Sequence, residues 1–497
     1  MRVAPSSAVK TEADITGLLA LSTARANPQL RTKAALLTSR ALPGDEPLDP
    51  VLPLPLMEEA FGMALDTAAQ GQPHDRDRDA AIALCRNFAI CLAGKEDDMV
   101  VGLRRTLSRL LGADINPGTA EGGSTRADGV LMAAARTHDG GVVSIPVLIV
   151  EFKVSGGTDP WFQNAAYYTR YMPQARVRTA ETDPIWLYQQ MLEREPRLPA
   201  LLLDITPGGV MLLRGAAATF PAVSTQLLGQ ACLATDEASV LRVASVLRAV
   251  REASNALRTR YEQLVITDAA VPPPAVPSVP KLAWLRVPAL ERLGLRPTAI
   301  VEAERLVFTA EGTADGAGAA SSSGSPASVV VKFVLGAYGA DSHRYAAQAG
   351  YAPRLLHDER LPGGWRCVVM EQLATGAWQR YNSSDPIERD AVMSAYEAAF
   401  ASGGYVHGDL RASNILVTRA AAGAAQDADA ASSAAAPPAK RQALQPVVRF
   451  LDFDWAGRAG HVHYPMLNAA VQRAEGAGSG MPIQVAHDRW MLQNGPV

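Results

Sequence analysis

The sequence predicts a multidomain protein of mixed α/β and α+β class, built as two folded units that each pair a sheet with helices. Three observations predict it. The chain has 497 residues, 48% of them apolar, which is material for two or three packed cores. The stretch ITDAAVPPPAVPSVP at 266–280 holds five prolines and no periodicity, so it reads as a stiff spacer between units. On both sides of it, short apolar runs rich in β-branched residues alternate with stretches of helical spacing.

The charge balance narrows the classes further. With 47 Lys and Arg against 50 Asp and Glu, the net charge is -3 and the pI about 6.3. That excludes a globally basic nucleic-acid coat protein, though not a local basic groove. The apolar content excludes a wholly disordered chain. Four scattered cysteines (Cys85, Cys91, Cys232, Cys367) without a CxxC pair point to a reducing, intracellular compartment, cytoplasm or nucleus. No run of 18 apolar residues occurs, so no membrane span is expected. The apolar stretch at 16–21 is short and follows Glu12 and Asp14, unlike a signal peptide.

Residues 1–55 are rich in Ala, Ser, Thr and Pro and read as a loosely ordered N-terminal segment. Residues 56–265 read as the first folded unit, closed by a helix over 236–264 with apolar positions at Val240, Val243, Ala244, Leu247 and Val250. Residues 266–280 are the linker and 281–497 the second unit. Low-complexity inserts at 311–328 and 420–446 interrupt that unit. Each is flanked by strand-like residues, the pattern of a long flexible loop set into a hairpin.

The second unit carries an ordered set of chemical groups. Lys332 lies in the apolar strand VVVKFV. Next comes GGYVHGDLRASNILV (403–417) with His407, Asp409 and Asn414, and then VVRFLDFDWAG (447–457) with Asp452. A nucleotide triphosphate needs a cation on its phosphates, which Lys332 supplies. Magnesium is a hard ion that takes oxygen ligands, which Asn414 and Asp452 offer. A carboxylate at Asp409 can accept the proton of an attacking hydroxyl. The spacing of Asp409 and Asn414 lets one loop serve both nucleophile and metal.

In these motifs the unit resembles the protein-kinase-like fold over about 281–497. HGDLRASN is similar to its catalytic loop, LDFDWAG to its metal-binding segment and VVVKF to its ATP-lysine strand. The resemblance implies a small bilobal domain that binds ATP and Mg²⁺. It also implies that Glu371 in VVMEQL marks the hinge against adenine, and that Asp488 in AHDRWMLQ braces the catalytic loop. The sequence departs from the family in places. No GxGxxG loop precedes Lys332, and no Glu is evident in HRYAAQAGYAP (343–353) to pair with it, Asp341 being a distant substitute. His-Gly-Asp stands where many protein kinases carry His-Arg-Asp, which leans toward the small-molecule or atypical branch.

In the first unit, RADGVLMAAA (126–135) precedes IPVLIVEFKVSGG (145–157). Glu151 and Lys153 alternate on one strand face, and Asp128 begins a neighbouring strand. Two carboxylates from adjacent strands can bind one Mg²⁺ or Mn²⁺, and a lysine beside them can orient water or stabilise the phosphorane. In DPWFQNAAYYTRYM (159–172), Gln163 and Tyr167 share a helix face. The order D…ExK…QxxxY resembles the restriction-endonuclease-like PD-(D/E)xK superfamily. It implies a mixed sheet with flanking helices, catalytic Asp128, Glu151, Lys153 and Gln163, and metal held by Asp128 and Glu151. An acidic residue on the first helix is expected at Glu96, or at Glu59. Trp161, Tyr167, Tyr168 and Tyr171 read either as core or as a base-stacking surface, and Arg170, Arg176 and Arg178 as surface residues or phosphate contacts.

A nuclease-like unit followed by a kinase-like unit resembles the Crinkler-type proteins over roughly 56–497. That resemblance implies an ATP–Mg-dependent phosphotransferase joined to a metal-dependent nuclease, with ATP, DNA and a protein substrate as partners. Two other readings stay open. One is an inert DNA-binding or regulatory module. The other is a small-molecule kinase of the aminoglycoside or choline kinase type. Phosphoacceptor and oligomeric state are left undetermined.

Overall fold

The computed structural model describes residues 52–70, 72–91, 96–119, 126–137, 142–153, 160–171, 198–219, 222–266, 287–302, 305–312, 327–374, 376–418, 446–468 and 471–494. It is a mixed α/β and α+β chain with several sheets. Two compact units emerge: 1–291 with the turn 361–364, and 292–360 with 365–497. The residues between 267 and 286, which hold the prolines of the expected linker, lie outside the described residues, as does nearly all of 1–55. Among the described residues no helix is long and apolar enough to cross a membrane.

The first unit is built on a seven-stranded sheet. In chain order the strands are β1 (Asn116–Thr119), β2 (Arg126–Thr137), β3 (Val142–Phe152), β4 (Ala200–Ile205), β5 (Val210–Thr219) and β6 (Ala222–Cys232). They lie side by side in that order, with β7 (Val265–Ile266) added on β2. Only β3 with β4 and β2 with β7 run parallel. The β3–β4 pair is the centre: Ile145, Val147–Val150 and Leu201–Leu203 are all fully buried. A central pair covered on both faces needs a continuous apolar run, which is what LIV and LLL supply.

Four helices of the first unit matter here: α1 (Glu59–Gln70), α2 (Asp75–Cys91), α3 (Glu96–Leu111) and α4 (Pro160–Tyr171). A fifth, α5 (Glu237–Gln263), starts at Asp236, whose carboxylate accepts from the Ser239 N–H at 3.0 Å. It packs against β2, β6, α1 and α2. Its Arg251 forms a two-pronged buried ion pair with Asp77 of α2, at 2.9 and 3.0 Å. Helix α4 packs on β3 and β4 through Tyr167 and Tyr168, which are fully buried. Those two tyrosines are therefore core, not a base-stacking surface; the side chains of Trp161, Arg170 and Tyr171, and all of Arg176 and Arg178, lie outside the described residues.

The second unit opens with a five-stranded antiparallel sheet of order β11-β12-β10-β9-β8. Its strands are β8 (Leu295–Glu302), β9 (Val307–Gly312), β10 (Ala327–Leu335), β11 (Leu355–Arg360) and β12 (Trp365–Glu371), with helix α6 (Ala340–Gln348) between β10 and β11. Strands β9 and β10 pair directly, Gly312 opposite Ala327, so Glu311, Gly312, Ala327 and Ser328 belong to strands instead of the insert expected at 311–328. Regular pairing satisfies their backbone, which composition alone could not reveal.

The rest of the unit is helix α7 (Pro386–Ala399), short strands and helix α8 (Val485–Asn494). The strands are β13 (Gln379–Arg380), β14 (Tyr405–Val406), β15 (Ile415–Thr418), β16 (Val447–Phe450) and β17 (Gly457–Arg458). Strands β15 and β16 pair with Thr418 opposite Val447; residues 419–445 lie outside the described residues. One core joins both parts, from Val334 and Tyr338 through Tyr396, Phe400 and Phe453 to Leu492.

Candidate functional site

The loop between β14 and β15 is held from beneath by Asp488 of α8. This fully buried carboxylate accepts from the backbone N–H of His407 at 2.6 Å and of Gly408 at 2.9 Å, and from the Tyr396 hydroxyl at 3.3 Å. Burial pushes its pKa up, while His407 and these donors pull the other way. Gly408 sits at φ +83°, and a Cβ there would lie 2.9 Å from Ile483 and 3.0 Å from Trp455. Both the left-handed backbone and the close approach exclude a larger residue, which accounts for His-Gly-Asp in this chain.

His407 links this loop to the next segment. Its Nε2 lies 2.8 Å from the Leu451 carbonyl oxygen, which can only accept, so Nε2 carries the proton. The Leu451 N–H in turn donates to the Asn414 carbonyl at 2.9 Å. Asn414 donates its amide to Asp409, at 2.9 Å to the backbone oxygen and 3.1 Å to Oδ2. Arg411 also donates to Asp409 Oδ2, at 2.6 Å, and Arg473 stands 3.7 Å from Oδ1. Asp409 and Asn414 thus form one buried constellation.

Asp452 follows Leu451 with φ +67°, a left-handed conformation that costs a non-glycine residue roughly 1 kcal/mol. Its Oδ1 receives Lys332 Nζ at 2.5 Å and its Oδ2 receives Arg305 Nη1 at 2.6 Å. Lys332, buried in β10, also donates to Asp454 at 2.6 Å. Burial would raise the Asp452 pKa, but Lys332 and Arg305 outweigh it and hold the carboxyl below its ordinary value. Asp454 goes the other way: burial and the Asp452 charge exceed the pull of Lys332 and raise it.

Helix α6 supplies no acid to Lys332. Its Asp341 is exposed and pairs with Arg344 at 3.2 Å. The helix meets the site through His343, whose ring stacks on Phe453. Gly339, just before the helix, donates to the Phe453 carbonyl at 3.0 Å, and a Cβ on it would strike the Ala456 backbone at 2.4 Å.

A cavity of about 770 Å³ is lined by Arg305, Lys332, Asp409, Arg411, Asp452 and Asp454, with Trp365 and Trp455 among its walls. That is large enough for a nucleotide. Asp452 and the Asn414 amide offer oxygen donors of the hard kind that Mg²⁺ prefers. Among the described residues no cluster of three or more His, Cys, Asp or Glu side chains could hold a metal by itself. Glu371 is not brought to this cavity: its carboxylate accepts from the Arg354 N–H at 3.1 Å and its own N–H donates to the Arg354 carbonyl at 2.9 Å. In the ladder Glu371 lies opposite Val329 of β10.

In the first unit, register places Asp128 and Glu151 on neighbouring strands, and Glu151 beside Asp204 on β4. Lys153 Nζ is 3.0 Å from Glu151 Oε1, while Glu151 Oε2 is buried with no hydrogen-bond partner among the described residues. Burial, then the Asp128 charge, push the Glu151 pKa to about 8 against the pull of Lys153. Asp128 Oδ2 accepts from the Phe152 N–H at 2.8 Å. A buried oxygen without a partner, next to a second carboxylate, fits a divalent cation. Gln163 is buried and donates to the Tyr167 hydroxyl at 2.8 Å, so the two residues of the helical motif bond each other. The Glu96 side chain lies outside the described residues; Glu59 opens α1.

Sequence reading missed several members. Asp204 is bound by Arg214 Nε at 2.7 Å and by Asn164 at 2.9 Å, and Asn164 also donates to the Ile149 and Leu203 carbonyls, pinning α4 onto β3 and β4. Arg305 and Arg473 reach Asp452 and Asp409 from distant segments, so no local spacing announces them. Asp454, two residues after Asp452, was the one addition that nearness in the chain could have flagged. In comparisons with known proteins, no family model and no curated protein matches this chain.

Proposed function

We propose that the second unit is a protein-kinase-like phosphotransferase using ATP and Mg²⁺. The observation that carries this reading is the chain of contacts from Lys332 to Asp452, and from Leu451 through Asn414 to Asp409, with Lys332, Asp452 and Asp409 lining one cavity. Lys332 would bind phosphate, Asp452 and Asn414 would hold the metal, and Asp409 would take the proton from an acceptor hydroxyl. Bound magnesium would neutralise charge on the phosphates. Arg411 and Asn414 orient the Asp409 carboxylate. The test is transfer of labelled phosphate from ATP to protein and to soluble alcohols, comparing wild type with Asp409→Asn and Lys332→Met. Equal labelling by all three would refute the reading.

For the first unit we propose a metal-dependent nuclease of PD-(D/E)xK type acting on DNA. The buried, unpartnered Glu151 Oε2 beside Asp128 and Lys153 supports it. Asp128 and Glu151 would hold Mg²⁺ or Mn²⁺, and Lys153 would steady the attacking water. Cleavage of supercoiled plasmid with Mn²⁺, absent in Glu151→Ala, is the expected result; no cutting with either metal would leave a DNA-binding or regulatory module. Two such units in one chain is the arrangement of Crinkler-type proteins, and membership of that group is part of this proposal.

A further inference from the structure

The turn between β8 and β9 stands where a glycine-rich phosphate loop is missing, and it carries an arginine instead. Arg305 Nη1 donates to Asp452 Oδ2 at 2.6 Å, and Arg305 lines the same cavity as Lys332, Asp409 and Arg411. The turn is fixed to the lysine strand. The Phe333 N–H donates to the Leu306 carbonyl at 3.1 Å, and Val307 lies opposite Lys332 in the ladder. Leu306 adopts φ +53°, a strained backbone for a leucine, in the residue that follows Arg305. Arg305 Nε lies 3.2 Å from Glu302 at the end of β8, which restrains the side chain further.

Asp452 is thereby held between two cations, Lys332 on one oxygen and Arg305 on the other. A divalent metal on Asp452 needs those oxygens, so it competes with both cations. Displaced from Asp452, Lys332 keeps Asp454 and Arg305 keeps Glu302, and the metal-bound phosphates are further anions at that place for the donors set free. A guanidinium suits this exchange because its fork of donors matches two phosphate oxygens at once.

We propose that Arg305 is a phosphate-binding residue for the nucleotide, taking over from the β8–β9 turn the role that backbone amides of a glycine-rich loop would otherwise fill. This rests on the phosphotransferase reading of the same cavity. A different role predicts the opposite sign. If Arg305 only covers Asp452, removing it frees the carboxylate and tightens binding of the metal nucleotide.

The experiment is calorimetric titration of the full chain with Mg-ATP, Mg-ADP and adenosine, for wild type, Arg305→Ala and Arg305→Lys. The expected result is an Arg305→Ala affinity for Mg-ATP lower by about 10- to 100-fold, partial recovery in Arg305→Lys, and unchanged adenosine affinity. Unchanged adenosine binding also shows that the variant is folded. Equal or tighter Mg-ATP binding by Arg305→Ala overturns the proposal. If wild type binds none of the three ligands, the phosphotransferase reading fails first and takes this one with it.

Discussion

The ring of His343 lies 4.2 Å from the ring of Phe453 and within 8° of parallel to it. Helix α6 is thereby seated on the residue next to Asp452 by a neutral aromatic stack, with no carboxylate reaching Lys332 from that helix among the described residues. His343 Nε2 donates to the Pro353 carbonyl at 2.8 Å, which leaves Nδ1 to accept from the Tyr338 hydroxyl at 2.6 Å.

That tautomer makes the second unit sensitive to acid. Burial, above all, pushes the His343 pKa down to about 4, against the opposing Pro353 hydrogen bond. Between pH about 4 and the ordinary histidine value of about 6.5, the unfolded chain binds a proton that the folded chain refuses. Stability therefore falls as pH drops through that window. His343→Gln should lack this part of the pH dependence. Urea denaturation at several pH values, followed by tryptophan fluorescence, checks it; parallel curves for the two proteins would refute the assignment.

Gly408 should tolerate no side chain. Its φ of +83° and the 2.9 Å approach of Ile483 mean that Gly408→Ala costs the second unit about 1–3 kcal/mol. Gly408→Arg should cost more and abolish the proposed phosphoryl transfer, because the loop that presents Asp409 would have to move. Chemical denaturation reads the first effect and phosphate transfer the second.

Glu151 sets an opposite pH trend in the first unit. With its folded pKa near 8, above the ordinary value, it retains a proton that the unfolded chain releases. The associated stability is complete in acid and is lost as pH rises toward 8, with a slope approaching about 1.4 kcal/mol per pH unit. Glu151→Gln should flatten that slope. At pH 8, Mn²⁺ should stabilise wild type and leave Glu151→Gln unaffected, as thermal melts with and without metal would report.

The Asp77–Arg251 pair should be structural. Both side chains are buried and doubly bonded, so Asp77→Ala strands a guanidinium and costs about 3–5 kcal/mol. Asp77→Leu with Arg251→Met, which removes both charges, should cost much less. A double-mutant cycle in urea gives the coupling; additive single effects would contradict it.

Much of this was legible in the chain. The VVVKFV, HGDLRASN and LDFDW segments announced Lys332, Asp409, Asn414 and Asp452, because strand and loop chemistry is local. The run VLIVEFK likewise announced a buried strand ending in Glu151 and Lys153. The limits of the insert before β10 were misjudged, since Glu311 and Ser328 read as low complexity until their backbone partners are known. The resemblance placed Glu371 at a hinge acting through its backbone; the structure adds that its carboxylate accepts from the Arg354 N–H, a contact between segments that local sequence does not announce.

What the sequence determined alone was which residue types lie on which strands and loops, because side-chain alternation and turn chemistry act over a few neighbours. The tertiary structure decided which of them meet. Arg305 on Asp452, Arg473 near Asp409, Asp488 beneath His407 and Arg214 on Asp204 each join segments that are separate in the chain. Such pairs form because a charge removed from water must find an opposite charge or a donor inside the fold, and where that partner lies is set by the packing of whole elements.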